Sequence, residues 1–328
     1  MKYLGHLSRH DPLYGYLCMQ IMPQLGASGN RGFRVYGSSS SHAVYIYEDR
    51  ASGVKAVGKF FSAGESDLSR ARNRMLREYS NITEFRRYLG ENHYAARPLG
   101  YSEELGNLLV TEYCAGELFD QVILEAVYQR GEGKLRDKLS ALGNFLATVH
   151  NRSARPVMVD FHKVCDHLEH FITQLNDIIL HGHEEQRLHQ LCESYRHDPL
   201  MYQDQEVLVH GDATPANFCF GDGSYVMTFD LERMRRSDRL FDTGMIAGEL
   251  QHFFLRHTGN KYAAEPFISH FLREYCRHFP DRDAAFAAIT ARVPFYMGFT
   301  LLRIARNGCL GYEYRRKLIR EAELTLQR

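Results

Sequence analysis

Two short acidic stretches hold the residues of this sequence best suited to chemistry. The first is Leu208-Val209-His210-Gly211-Asp212-Ala213-Thr214-Pro215-Ala216-Asn217. An apolar run, Val207 to Val209, enters a tight turn at Gly211 that presents Asp212, and Pro215 stiffens the return to Asn217. A second apolar run, Phe218 to Phe220, a Gly-Asp-Gly turn at 221–223 and a third strand, Tyr225 to Phe229, lead into Asp230-Leu231-Glu232. Strand ends of this kind put oxygen-rich side chains at one rim. A hard cation such as Mg²⁺ takes carboxylate and amide oxygens, and a hydroxyl attacking a phosphoryl group wants a carboxylate beside it. The pattern therefore suits Mg²⁺-dependent phosphoryl transfer.

His210-Gly211-Asp212, followed after four residues by Asn217, resembles the catalytic loop of the aminoglycoside phosphotransferase and choline kinase family. Asp230-Leu231-Glu232 resembles that family's Asp-x-Glu metal motif. The resemblance covers most of residues 33–256. It implies an α+β, two-lobed protein-kinase-like fold, with a small antiparallel β-rich N-lobe and a mainly helical C-lobe. It divides the chain into a nucleotide-binding lobe at 1–111, a hinge at 112–117 and a helical lobe at 118–328 that carries the catalytic loop and acceptor site. It also implies that Asp212, Asn217 and Asp230 are catalytic, with Asp212 orienting the acceptor hydroxyl and taking its proton. Asn217, Asp230 and Glu232 would be the Mg²⁺ ligands, and ATP, or GTP in its place, the phosphoryl donor.

The preceding elements must position these groups. Phe33 to Tyr36 and Ala43 to Tyr47 read as strands around the small-residue turn Gly37-Ser38-Ser39-Ser40-Ser41-His42. Such a turn can bring backbone N–H groups to a phosphate chain, and the resemblance puts the nucleotide-covering loop here, with Ser39 and Ser40 in place of glycines. A third strand, Lys55 to Phe61, alternates so that Val57 and Lys59 share one face and Gly58 and Phe60 the other. A lysine on an inward face is costly unless an anion meets it. Lys59 matches the family's phosphate-binding lysine, with Lys55 its competitor.

A helical pattern over roughly 67–89 carries Met75, Ile82, Phe85 and Leu89 as its stripe, with Glu78 beside it. In kinase-like folds a glutamate of this helix pairs the strand lysine; Glu84 is the alternative here. Leu108 to Gly116 resembles the interlobe hinge, where the carbonyl of Glu112 and the amide of Cys114 would read the adenine edge. Thr111 would lie beside the base, with Glu117 or Asp120 near the ribose. Asp242 opens a helical run at 243–256 as an N-terminal cap, and matches a family aspartate that supports the catalytic loop.

Composition removes several classes. Lys plus Arg equals Asp plus Glu at 40 each, so no global field draws the chain to nucleic acid. Seven cysteines without a Cys-x-x-Cys pair argue against a disulfide framework and for a reducing, cytoplasmic setting. No membrane span is expected, because Ala284 to Ile304 carries Arg292 and Arg303. His181, His183, His189 and Cys192 read as a solvated helix end rather than a metal cluster, since Gly182 breaks the shared face. Eleven residues between Asp230 and Asp242 leave little room for a regulated activation segment, which disfavours protein substrates.

The partner is then a small-molecule hydroxyl acceptor. Arg233, Arg235, Arg236 and Arg239 follow the metal motif. If they face inward, they favour a neutral or anionic sugar-like acceptor over an aminoglycoside or choline-type cationic alcohol; the alternative is that they are solvated or pair Asp238 and Glu232. Serines in place of loop glycines keep open a catalytically silent nucleotide-binding regulator.

Overall fold

The computed structural model of the chain describes residues 1–37, 43–176 and 178–327. The first part runs β1 (Lys2–His6), α1 (Pro12–Tyr16), β2 (Phe33–Gly37), β3 (Ala43–Asp49), β4 (Lys55–Phe60), α2 (Leu68–Phe85), β5 (His93–Ala95), β6 (Pro98–Ser102) and β7 (Leu108–Glu112). There follow β8 (Glu117–Leu118), α3 (Phe119–Gln129), α4 (Glu132–Ser153), α5 (Phe161–Asn176) and α6 (Gly182–Arg196). Then come β9 (Val207–Val209), β10 (Phe218–Phe220), β11 (Val226–Thr228), β12 (Arg235–Ser237), α7 (Leu240–Thr258), α8 (Glu265–Cys276), α9 (Arg282–Ala305) and α10 (Tyr312–Leu326). The chain folds as two compact units: unit 1 (Met1–Arg87, Tyr94–Ala115 and Met227–Glu232) and unit 2 (Tyr88–His93, Gly116–Val226 and Arg233–Arg328). The short segment 227–232 thus packs in unit 1, whereas the sequence places everything after 118 in one lobe.

Unit 1 is built on a six-stranded antiparallel sheet of order β1-β2-β3-β4-β7-β6. Its core face carries Phe33, Tyr47, Ala56, Leu108 and Val110, covered by Leu13, Leu17, Ile21 and Met22 of the N-terminal helical turns. The first 32 residues therefore supply an edge strand and the cover of this core. On β4, residue 56 faces the core, so Lys59 lies on the opposite face, the period-2 placement that its sequence predicts. α2 starts at the Asp67 cap, which accepts from the Arg70 amide at 3.0 Å, and packs against β6 and β7.

Unit 2 is mainly helical. α7 is buried along almost its whole length and packs closely on α9, so closely that a Cβ at Gly244 would fall 2.3 Å from the Tyr296 Cβ. α9 has the length and apolar character of a membrane-crossing segment. Here it serves as a core helix between α7 and α10. Between α4 and β9 the chain forms two helices, α5 and α6. The arginine-rich stretch after Glu232 includes a strand: β12 pairs antiparallel with β9, Arg235 opposite Val209 and Ser237 opposite Val207.

Candidate active site

In unit 1 the Lys59 ammonium is a hub. Its Nζ donates to Glu78 Oε2 at 2.8 Å, Asp230 Oδ1 at 2.8 Å and Glu232 Oε2 at 3.1 Å. Glu78 reaches it from the buried face of α2. Arg74, one turn earlier on α2, holds Glu232 Oε1 through Nε at 2.9 Å and Nη2 at 2.8 Å. Asn81 of the same helix donates to the Leu231 carbonyl at 2.7 Å, which fixes the segment between the two acids. Asp230 has φ +61°, a left-handed conformation that aspartate tolerates better than most residues. Lys55, the competing lysine, lies instead over the Tyr113 ring and 3.6 Å from Glu48, and Glu78 rather than Glu84 meets the ammonium.

The charges do not cancel. Lys59 and Arg74 face Glu78, Asp230 and Glu232, two cations against three carboxylates. Burial alone would lower the Lys59 pKa, but Glu78, Asp230 and Glu232 hold it above the ordinary lysine range. Burial raises Glu78 to about 7, because the pull of Lys59 is opposed by the neighbouring Asp230 and Glu232. Glu232 is also pushed up by burial, yet Lys59 and Arg74 bring it below the usual value. The three acids offer oxygens within 4.8 Å of one another. Hard oxygen donors with surplus negative charge fit a divalent cation such as Mg²⁺.

Glu112 ends β7, opposite Ala56 in register, and its carboxylate accepts from the Tyr94 hydroxyl and from Arg97 Nε at 2.8 Å. Cys114 follows, partly buried, in chain without regular structure. Ser39 and Ser40 lie outside the described residues.

In unit 2, β9 delivers the loop His210-Gly211-Asp212. Gly211 has φ +78°, and a Cβ there would fall 2.1 Å from the Arg233 carbonyl oxygen, so no other residue fits without moving the backbone. The loop hangs on Asp242. That carboxylate accepts from the His210 amide at 2.6 Å and the Gly211 amide at 3.0 Å, and contacts His150 Nε2 at 3.1 Å. Burial would raise its pKa, but His150, His210 and the Gly211 amide hold it below the usual carboxylate range. Asp242 is not the helix cap that the sequence suggests: α7 begins two residues earlier, after Arg239, and places Asp242 in its first turn, pointing at the loop.

Asp212 Oδ1 accepts from Arg303 Nη1 at 3.0 Å, and Oδ2 lies 4.0 Å from Arg233 Nε. Asn217 Nδ2 donates to the Asp212 carbonyl at 2.9 Å and closes the loop. Of the four arginines after the metal motif, two are structural. Arg236 donates to the Ser153 carbonyl, and Arg239 donates to Asp204 at 3.1 Å and Asn151 at 2.9 Å. Glu117 is held by Lys134 at 2.7 Å. Among the described residues the histidines of α6 join no group of metal-ligating side chains; Glu78, Asp230 and Glu232 form such a group.

Sequence reasoning missed Arg74 and Arg303. Arg74 precedes Glu78 by four residues, the helical spacing that puts both on one face. Arg303 has a weaker signal, an arginine inside an apolar helix.

A sequence model described as the phosphotransferase enzyme family matches residues 32–285. No curated protein matches the sequence. Among solved structures, the chain is similar to the ADP-bound aminoglycoside phosphotransferase APH(2'')-Ib, with 12% identity over 97% of this chain and 98% of that one at a TM-score of 0.58. It is similar to a Plasmodium vivax ethanolamine kinase (11% identity, 98% and 88% coverage, TM-score 0.59). It is also similar to the amicoumacin kinase hAmiN, solved with AMP-PNP and Ca²⁺ (16% identity, 97% and 93% coverage, TM-score 0.59). At these identities the likeness establishes the kinase-like fold.

Proposed function

The chain belongs to the phosphotransferase enzyme family, and we propose that it moves the γ-phosphoryl group of ATP, or of GTP, to a hydroxyl of a sugar-like small molecule in a Mg²⁺-dependent reaction. The observation that carries this reading is the Lys59 ammonium within 3.1 Å of Glu78, Asp230 and Glu232. A buried lysine oriented by a helix glutamate is the means by which such enzymes meet nucleotide phosphates, and the neighbouring acids supply oxygens for a cation.

Each group then has one task. Lys59 neutralises charge on the donor phosphates, and Glu78 fixes the ammonium where it is needed. Asp230 and Glu232 would hold Mg²⁺, which when bound offsets the charge of the phosphates. Asp212 orients the acceptor hydroxyl. The acceptor oxygen forms its bond to the γ-phosphorus as the bond from that phosphorus to the β–γ bridging oxygen breaks. ADP leaves with the electron pair, and the hydroxyl proton passes to the Asp212 carboxylate and then to solvent. Positioning and charge neutralisation account for most of the acceleration in this class of reaction.

The test is ADP release over a panel of sugars, aminoglycosides, choline and homoserine, with Mg-ATP binding measured separately by calorimetry. Asp212→Ala should lower kcat by ~10²–10⁴ and leave nucleotide affinity nearly unchanged, because only the base is lost. Nucleotide binding without turnover of any acceptor would refute the enzymatic reading, and an unaltered kcat in Asp212→Ala would remove the role given to that residue.

A further inference from the structure

Unit 2 gathers more positive charge around Asp212 than Asp212 can use. Arg303 bridges Asp212 and Glu249, at 3.0 and 2.6 Å, and Arg233 lies 4.0 Å from the other Asp212 oxygen. Two further guanidiniums meet no carboxylate among the described residues. Arg235 Nη1 has only the Arg233 carbonyl at 3.3 Å, and lies 3.0 Å from where a Cβ on Gly211 would stand, against the loop itself. Arg306, one residue beyond the end of α9 and three after Arg303, donates to the Gln174 side-chain oxygen. Four cations thus share three nearby acids: Asp212, Glu249 and the buried Asp242, which acts on Arg235 without a hydrogen bond to it.

The two guanidiniums without a carboxylate are held on an aromatic floor. Arg235 stacks on Phe241 with its Cζ 4.0 Å from the ring centroid, and Arg306 stacks on Phe171 at 4.4 Å. Phe241 and Phe171 both pack against Phe299, at 5.5 and 5.2 Å, and against His167, at 6.0 and 4.9 Å. Stacking of this kind orders a guanidinium while leaving its N–H edge available for a planar or tetrahedral anion. The groups also strain one another. Burial, and then Arg233 and Arg303, lower the Arg306 pKa, and burial, Arg235, Arg233, His170 and Arg306 push His167 down to about 4. An anion placed among them would relieve that repulsion.

We propose that the acceptor carries a phosphate or carboxylate, bound by Arg235 and Arg306 with Arg233 alongside, while its hydroxyl meets Asp212. This rests on the phosphotransfer reading for the hydroxyl and stands apart from it for the anion. A polycation such as an aminoglycoside would meet four like charges here, so the arrangement selects against it as well as for an anionic alcohol.

Two measurements on the full chain test it. The first is calorimetric titration of inorganic phosphate at low ionic strength into the wild type, Arg235→Gln, Arg306→Gln and, as a control, Lys163→Gln, which removes an exposed cation paired with Asp160. Arg306→Lys serves as a conservative control, and thermal unfolding checks that each variant is folded. Loss of a charge-assisted contact should raise Kd about tenfold or more in either Gln variant, with partial recovery in Arg306→Lys. Lys163→Gln should bind as the wild type does. Absence of binding, or binding that both arginine variants leave unchanged, overturns the proposal.

The second measurement is ADP release with matched acceptors: glycerol against glycerol 3-phosphate, and glucose against glucose 6-phosphate and gluconate. The anionic members should have kcat/KM at least about tenfold higher, with KM rising in the Gln variants. The phosphate and carboxylate arms separate the two anion chemistries. Preference for neutral or cationic acceptors overturns the inference and leaves the phosphotransfer reading intact. Arginine-dependent phosphate binding with no turnover of any acceptor does the reverse: the anion site stands and the reading falls.

Discussion

The loop that presents Asp212 is only as well placed as the carboxylate behind it, and Asp242 lets that dependence be measured. Asp242 is wholly buried and accepts from two consecutive backbone amides, those of His210 and Gly211, while touching His150 Nε2. His150 is itself buried and hydrogen-bonded to the Tyr275 hydroxyl at 2.8 Å, so none of these groups can turn to water instead. Asp242→Ala leaves three buried polar groups short of a partner. Each unsatisfied group costs ~1–3 kcal/mol, and neighbours in one network add incompletely, so the expected loss is about 3–6 kcal/mol. Against a total of about 5–15 kcal/mol, that variant is at the edge of folding.

Asp242→Asn is the informative change. It keeps the volume and one acceptor oxygen, but turns an NH₂ group toward the second backbone amide. The expected cost is about 2–3 kcal/mol. With Gly211 at φ +78° and its backbone hard against the Arg233 carbonyl, the loop cannot absorb the clash by a small rotation. Asp212 shifts, and kcat should fall by about 10–10² while KM for the nucleotide stays within about twofold, the signature of a positioning residue. His150→Phe, which removes one partner and leaves both amides satisfied, should cost less on both scales. Urea denaturation followed by far-UV circular dichroism gives the stabilities, and steady-state ADP release gives the kinetic split. An Asp242→Asn variant within about 0.5 kcal/mol of wild type with unchanged kcat would refute the reasoning.

Two further expectations concern charge. His93, His167 and His252 are each pushed down to about 4 by burial first and neighbouring cations second. Their folded pKa values lie below the unfolded value, so their contribution is complete above about pH 6.5 and is lost as pH falls toward 4. Each should account for ~1–2 kcal/mol of lost stability between about pH 7 and 5, opposed in that range by Glu78, and replacing His93 by Phe should make the urea midpoint fall less on acidification. Lys59→Met removes the ammonium shared by Glu78, Asp230 and Glu232 and should destabilise the chain by about 3–5 kcal/mol as well as abolishing Mg-ATP binding. Adding Glu78→Gln should restore much of the stability and none of the binding; a double variant no more stable than Lys59→Met would show that Glu78 is not the acid left unpaired.

What could be read from the sequence was what short-range rules encode. Period-2 alternation put Lys59 on the face of Val57, opposite Gly58 and Phe60, and helical spacing put Glu78 beside the apolar stripe. Turn chemistry put Asp212 at a glycine bend, and two acids with one residue between them stood at a strand end. Each of those signals lies within a few residues of the group it locates. Asp242 shows where short-range rules stop: an aspartate before a helix looks the same whether it caps that helix or reaches into another loop, only the family resemblance pointed to the loop, and here α7 begins early enough to aim it at residues 210 and 211. β12 fails for a related reason, since three residues that include two arginines have no strand pattern until β9 lies beside them.

The arginines of α9 carry more than their sequence context suggests. Arg292 and Arg303 are eleven residues apart, just over three full turns, so they lie on one stripe of a mainly apolar helix. In the sequence they serve only to disqualify a membrane span. A guanidinium on the inward stripe of a core helix has a stronger consequence: it must meet an acid from elsewhere in the chain, because unpaired it could not be buried. Arg292, 4% exposed, meets Asp204 and Asp238. Arg303 meets Glu249 and, 91 residues back in sequence, Asp212. Acids available for such pairing are few, and one of them, Asp212, stands at the glycine turn to which we assign the acceptor base. The demand for a partner acid therefore leads from α9 to the loop 210–212, and makes a positively charged wall beside Asp212 a property of the fold rather than of the surface.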